Sequence, residues 1–124
     1  MKRKVLIIDD EVDFLKIVKL NLEETNRYEI LTSPTAKDII EKLHSFKPDL
    51  ILLDLLMPEV DGISACELLN KDPLGQKTPI IILSALDKNK DMLKAYKKGV
   101  VDYLVKPVDI QELTSKIEKA LEYK

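Results

Sequence analysis

The stretch Leu50-Ile51-Leu52-Leu53-Asp54 constrains this chain more than any other. Its aliphatic run carries no polar alternation, so a strand formed here must be covered on both faces, as in a parallel sheet sandwiched between helices. The run ends on a carboxylate and is stopped shortly afterwards by Pro58. Burying an unpaired charge is costly, which places Asp54 at the strand's end, where water, a metal or a cation can reach it. Open α/β sheets bind ligands outside the carboxyl ends of their strands, and Asp54 is therefore a site candidate.

Other segments read in the same way. Val5-Leu6-Ile7-Ile8 runs into Asp9 and Asp10, Pro79-Ile80-Ile81-Ile82-Leu83 into Ser84-Ala85, and Val100 to Val105 into Lys106-Pro107. Tyr28 to Thr32 is a shorter β-favouring segment. Between these strands lie helical patterns. Phe14, Ile17, Val18 and Leu22 make the apolar stripe of the first, and Glu11 and Asp13 fall in its first turn, where the helix dipole accounts for acids. Ser33-Pro34 has the form of an N-cap followed by proline, with Ala36, Ile39, Ile40 and Leu43 along one face of the helix it would open.

After Pro58, residues 59–62, including Asp61-Gly62, read as a turn into a short helix with Ile63, Cys66 and Leu69 inward, ending near Asp72-Pro73. Residues 74–78 read as a loop. A helix is expected over 88–98, with Met92, Leu93 and Tyr96 inward and lysines outward, closed by Gly99. Asp109 and Glu112 have capping-box spacing and open a last helix built on Leu113, Ile117, Ala120 and Leu121. Strands alternating with helices at short connections imply an α/β fold, a flavodoxin-like doubly wound parallel sheet of strand order 2-1-3-4-5, spanning residues 1–124 as one domain.

Composition removes several function classes. Hydrophobic residues make up 45% and charged residues 34% of the chain, which excludes a disordered segment. A formal net charge of -2 and a pI near 5.5 give no basic footprint for nucleic acid. No stretch approaches the ~20 apolar residues of a membrane span, and Met1-Lys2-Arg3-Lys4 leads into only a short apolar run, so a cytoplasmic location is expected. The lone cysteine, Cys66, can form no internal disulfide, and the lone histidine, His44, has no second histidine with which to bind a metal. The chain stops at Lys124, just after the last helix, as expected of a stand-alone unit or of one separated from an output domain.

The proposed strand order brings Asp9, Asp10, Asp54, Ser84 and Lys106 to one edge of the sheet. Three neighbouring carboxylates repel one another, and a hard divalent cation resolves that repulsion. With oxygen ligands only, and no His or Cys at hand, the set suits Mg²⁺ better than zinc. Lys106 supplies a second positive charge and Ser84 a hydroxyl. Such a site suits a phosphoryl group, held by metal, ammonium and hydroxyl while a carboxylate attacks in line.

The acid pair Asp9-Asp10, Asp54-x-x-Met57-Pro58 followed by Asp61-Gly62, Ser84-Ala85, and Tyr103 before Lys106-Pro107 together resemble the receiver domain of bacterial two-component response regulators. The resemblance covers the whole chain. It implies that Asp54 is the phosphoacceptor, taking its phosphoryl group from a histidine kinase, a phosphotransfer protein or a small donor such as acetyl phosphate. It implies that Asp10 and Asp54 ligate Mg²⁺ directly and Asp9 largely through water, with the backbone carbonyl of Leu56 completing the set. Lys106 would pair with the phosphoryl group, beside what in the family can be a cis bond to the loop-fixing Pro107. Ser84 would swing to the phosphoryl oxygen and Tyr103 would move inward behind it. That change would bias the face formed by the fourth helix, fifth strand and fifth helix, on or near which Lys88, Lys90, Lys94 and Tyr103 lie, and with it dimerisation or partner binding. Such a domain catalyses its own phosphorylation and slow dephosphorylation rather than turning over an external substrate.

Two departures from the family pattern stand out. Val100 occupies a position commonly held by alanine, which bears on packing rather than on the site. Leu56 and Leu86, each two positions beyond Asp54 and Ser84, cannot orient an attacking water, so a slowly hydrolysing phosphoaspartate is expected. The competing readings fare worse. A Mg-dependent aspartyl-phosphate hydrolase needs an Asp-x-Asp nucleophile after the first strand, which neither Asp9-Asp10-Glu11 nor Asp54-Leu55-Leu56 provides. A flavin or nucleotide binder needs a phosphate-cradling glycine loop, and Gly62, Gly75 and Gly99 make none. A degenerate receiver that acts by binding alone ranks below the active one because every site residue is present.

Overall fold

Residues 1–55, 57, 62–84 and 99–122 are described by the computed structural model, and within them the apolar runs form one sheet. The strands are β1 (Arg3–Ile8), β2 (Tyr28–Ser33), β3 (Leu50–Asp54), β4 (Ile80–Ser84) and β5 (Val100–Val105). They pair in the order β2-β1-β3-β4-β5, every pairing parallel, the flavodoxin-like topology that the alternation of elements predicts. The helices described are α1 (Val12–Glu24), α2 (Ile39–Phe46), α3 (Gly62–Lys71), α4 (Pro73–Gln76) and α5 (Ile110–Glu122). The helix expected over 88–98 lies outside the described residues, as do Leu56, Pro58, Asp61 and Leu86.

The missing polar alternation has a direct cause. Val5, Ile7, Leu50, Leu52, Ile81, Leu83 and Leu104 pack on one face with Leu15, Val18 and Leu22 of α1 and Leu113, Ile117 and Leu121 of α5. Leu6, Ile8, Ile51, Leu53, Ile80 and Ile82 pack on the other with Ala36, Ile39 and Leu43 near and in α2 and Ala65, Cys66 and Leu69 of α3. Successive side chains of a strand therefore enter two different cores. Val100 is buried in the second cluster, beside the register shift between Ile80 and Ile81 that leaves Val101 exposed. Gly99 precedes it with φ +86, a left-handed backbone that suits glycine.

Three local expectations are corrected. Ile17 is 59% exposed, and Leu15 takes its place against the sheet. Apolar residues lie on several sides of α1, so spacing alone does not identify its buried face. Ser33 does not cap a helix beginning at Pro34. It pairs with Ile8 as the last residue of β2, and its hydroxyl donates to the Thr35 carbonyl, so α2 starts only at Ile39. Residues 74–78 are not wholly loop, because Asp72 Oδ1 accepts from the Leu74 amide at 2.9 Å and opens the one-turn α4 with Pro73 at its start. His44 holds the other oxygen of that cap, with Nε2 2.6 Å from Asp72 Oδ2. Asp109 caps α5 through the Gln111 amide at 2.9 Å.

Candidate functional site

The register of the sheet gathers the site. Ile8 pairs with Leu53, so Asp9 and Asp54, the next residues in each strand direction, emerge side by side. Asp54 pairs with Leu83 and Ser84 with Val105, which brings Ser84 and Lys106 to the same edge. Asp9 is 0% and Asp54 3% exposed, Ser84 is buried, and Asp10 faces solvent.

Carboxylate oxygens of Asp9, Asp10 and Asp54 all lie within 4.8 Å of one another. Asp9 Oδ1 accepts from the Glu11 amide at 2.9 Å, which fixes the carboxylate's orientation. Asp9 Oδ2 is buried and completes no well-formed hydrogen bond, although the Lys106 ammonium stands 2.5 Å away as an ion-pair partner. A buried anionic oxygen with coordinating capacity to spare, in an all-oxygen set open to solvent through Asp10, fits a hard divalent cation such as Mg²⁺.

Among the described residues, Lys106 supplies the cation of the site. Its Nζ lies 2.5 Å from Asp9 Oδ2, 2.7 Å from Glu11 Oε1 and 3.7 Å from Asp54 Oδ2, with the Phe14 ring centroid at 4.6 Å. Burial alone would lower its affinity for the proton. The close ion-pair contacts with Asp9 and Glu11 and the attraction of Asp54 outweigh that and hold the ammonium above its ordinary pKa. The Lys106-Pro107 peptide bond is cis. Beyond Lys106, a cavity of about 510 Å³ opens between α1 and the β5–α5 loop, lined by Phe14, Val18, Pro107 and Val108 among others.

Tyr103 pairs with Ile82 and packs, half-buried, against the cluster that contains Leu53 and Ile82. The Lys116 ammonium sits 5.5 Å from its ring centroid and donates to its carbonyl at 2.8 Å. The Leu56 carbonyl, assigned by resemblance to the metal, lies outside the described residues.

Two participants escape the reading of the sequence. Glu11 is not spent on the helix dipole: it occupies the N-cap of α1, makes no side-chain cap and reaches Lys106 instead. Phe14, assigned to a core stripe, sits beneath the same ammonium. The extension of the acid pair into Asp9-Asp10-Glu11 ahead of the first helical residue was the available signal for the first. Nothing local marks the second.

The model of the response regulator receiver domain matches residues 5–118. The alkaline phosphatase synthesis transcriptional regulatory protein PhoP of Bacillus subtilis is 32% identical over 98% of this chain and 49% of its own length. The response regulator ArlR of Staphylococcus saprophyticus is 37% identical over 95% of this chain and 52% of its own. The chain thus spans about half the length of these curated relatives. Among solved structures, the receiver domain of the Francisella response regulator 1452 is similar with a TM-score of 0.87 and 32% identity, covering 98% of each chain. A putative response regulator from Chloroflexus aurantiacus gives 0.90 and 26%, covering 98% and 99%.

Proposed function

Because this chain belongs to the response regulator receiver domains, phosphoacceptor signalling domains of two-component systems, we propose that Asp54 is its phosphoacceptor and that residues 1–124 act as one receiver unit. The hydrolase and phosphorylation-independent readings are not favoured. The observation that carries the assignment is the setting of Asp54: nearly buried at the end of β3, in reach of two further carboxylates, with an ammonium 3.7 Å away.

In the reaction, an Asp54 carboxylate oxygen attacks the phosphorus of a phosphohistidine on a kinase or phosphotransfer protein, or of a small acyl phosphate. The new O–P bond forms as the bond to the donor breaks, and the donor's imidazole nitrogen or carboxylate oxygen leaves with the electron pair. Asp9, Asp10 and Asp54 would hold Mg²⁺, with the Leu56 carbonyl as a further ligand, and the ion when bound would neutralise negative charge on the phosphoryl oxygens. Lys106 would take the oxygen that faces it, and Ser84 would donate its hydroxyl to another. Pro107 fixes the loop that presents Lys106. Tyr103 would then move inward behind Ser84 and alter the surface of β5, α5 and the 88–98 segment, and so dimerisation or effector binding. The names of the relatives point to transcription as the kind of output such a unit controls, and the cytoplasm, the usual location of receiver domains, would be its setting.

Incubation with Mg²⁺ and acetyl phosphate tests the assignment. A mass gain of one phosphoryl group, stable in acid and labile in base, is expected for the wild type and absent in Asp54→Asn. A gain that survives Asp54→Asn would overturn it.

A further inference from the structure

Phosphoryl transfer to Asp54 gives Asp9, Asp10, Ser84 and Lys106 work to do and leaves Glu11 without any. Yet Glu11 is wired into the site twice. Its amide donates to Asp9 Oδ1 at 2.9 Å, and its carboxylate meets Lys106 Nζ at 2.7 Å. Among the described residues, both of the anionic contacts of Lys106 within 3 Å, Asp9 and Glu11, lie on the β1 side of the site. Asp54, at 3.7 Å, is beyond hydrogen-bond reach of that ammonium.

We propose that Glu11 is a positioning residue, a latch that holds the Lys106 ammonium toward the β1 side, beside Asp54 but short of hydrogen-bond reach of it, until a phosphoryl group arrives. The inference rests on the reading of Asp54 as acceptor. The latch is built to open. Asp9 is wholly buried and oriented by a backbone amide, so it moves little, whereas the Glu11 side chain is 62% exposed and can pass to water at small cost. Its extended N-cap backbone, with no side-chain cap to maintain, leaves the carboxylate available for Lys106. A doubly charged phosphoryl group on Asp54 competes for the same ammonium, and the Glu11 contact sets how strongly it must pull. A partly solvated ion pair of this kind biases an equilibrium by no more than about fivefold.

The test is a beryllofluoride titration at saturating Mg²⁺, followed by amide NMR, with beryllofluoride standing in for the phosphoryl group. Glu11→Gln is expected to bind it about two- to fivefold more tightly than the wild type. Glu11→Asp keeps the charge but is one methylene short of Lys106, and is expected to behave like Glu11→Gln. In a Lys106→Ala background the effect of Glu11→Gln is expected to vanish, a coupling that a general effect on packing would not produce. Unchanged or weaker binding in Glu11→Gln, wild-type affinity in Glu11→Asp, or tightening that persists without Lys106 would each overturn the latch while leaving Asp54 as acceptor. Failure of the wild type to bind beryllofluoride in an Asp54-dependent way would overturn both.

Discussion

The Lys106 amide donates to the Ser84 carbonyl at 2.8 Å, so the strand ends that carry the site's ammonium and hydroxyl are tied together through backbone. Either side chain can be changed without cutting that tie. Ser84→Ala is therefore expected to fold, with stability within about 1 kcal/mol of wild type, and to accept a phosphoryl group at Asp54. Its amide shifts over β5 and α5 on adding beryllofluoride should be clearly smaller. Wild-type shifts in Ser84→Ala would remove the hydroxyl from the switch.

The acid cluster predicts stabilisation by metal. Mg²⁺ at a hundredfold excess over its Kd should raise the unfolding free energy by about 2.7 kcal/mol, through binding to the folded chain alone. Asp10→Asn, which removes the solvent-facing carboxylate of the cluster, should lose most of that gain. Urea denaturation with and without Mg²⁺ measures both.

Stability should fall in alkali. Burial first, and then the Glu118 carboxylate, push the Tyr28 phenol from 10.0 to about 12 against the pull of Arg27. A group whose pKa is raised by folding contributes its stability in full below its unfolded pKa, and that contribution is lost as pH climbs through the folded value. The Lys106 ammonium, also raised, acts with the same sign at high pH. Urea midpoints are expected to drop as pH rises from about 10 to about 12, and Tyr28→Phe should flatten the drop. A drop of equal size in Tyr28→Phe would exclude the phenol as a source.

Gly62 opens α3 rather than merely turning the chain. A Cβ there would lie 2.5 Å from Leu55 Cα and 3.0 Å from the Asp54 carbonyl oxygen. Gly62→Ala should cost about 1–3 kcal/mol, and should slow phosphorylation by acetyl phosphate because the backbone that must yield adjoins Asp54, the proposed phosphoacceptor. Wild-type stability and rate in this variant would show that the contact relaxes freely.

Leu56 and Leu86 predict a persistent signal. The purified phosphorylated chain should decay over minutes or longer, and Leu86→Asn should shorten its life by giving water a hydrogen-bond donor. Loss of the phosphoryl group within seconds in the wild type would refute this.

Much of this was legible because the sheet is buried on both faces. Runs such as Leu50 to Leu53 and Ile80 to Leu83 admit few alternatives, and their terminal residues announce the site. Helix boundaries were less legible. Ser33 satisfies the local grammar of an N-cap, but pairing with Ile8 draws it into β2, a demand made by a strand 25 positions away in the register. The role of Glu11 was hidden for the same reason, since its partner Lys106 is 95 positions distant and only the fold brings them together. Ile17 misleads because α1 is apolar on more than one side, with Val12, Ile17 and Leu20 exposed.

The pairing of Ile8 with Leu53 and of Asp54 with Leu83 has a consequence for quality control. In a strand, a slip of one residue sends every side chain to the opposite face. A mispaired or half-finished chain would carry the same aspartate but turn it away from Asp9 and Lys106, under a layer of helices. With Asp54 as the proposed acceptor, such a molecule would stay silent to a phosphodonor, and the yield of phosphorylation would also count the correctly folded population.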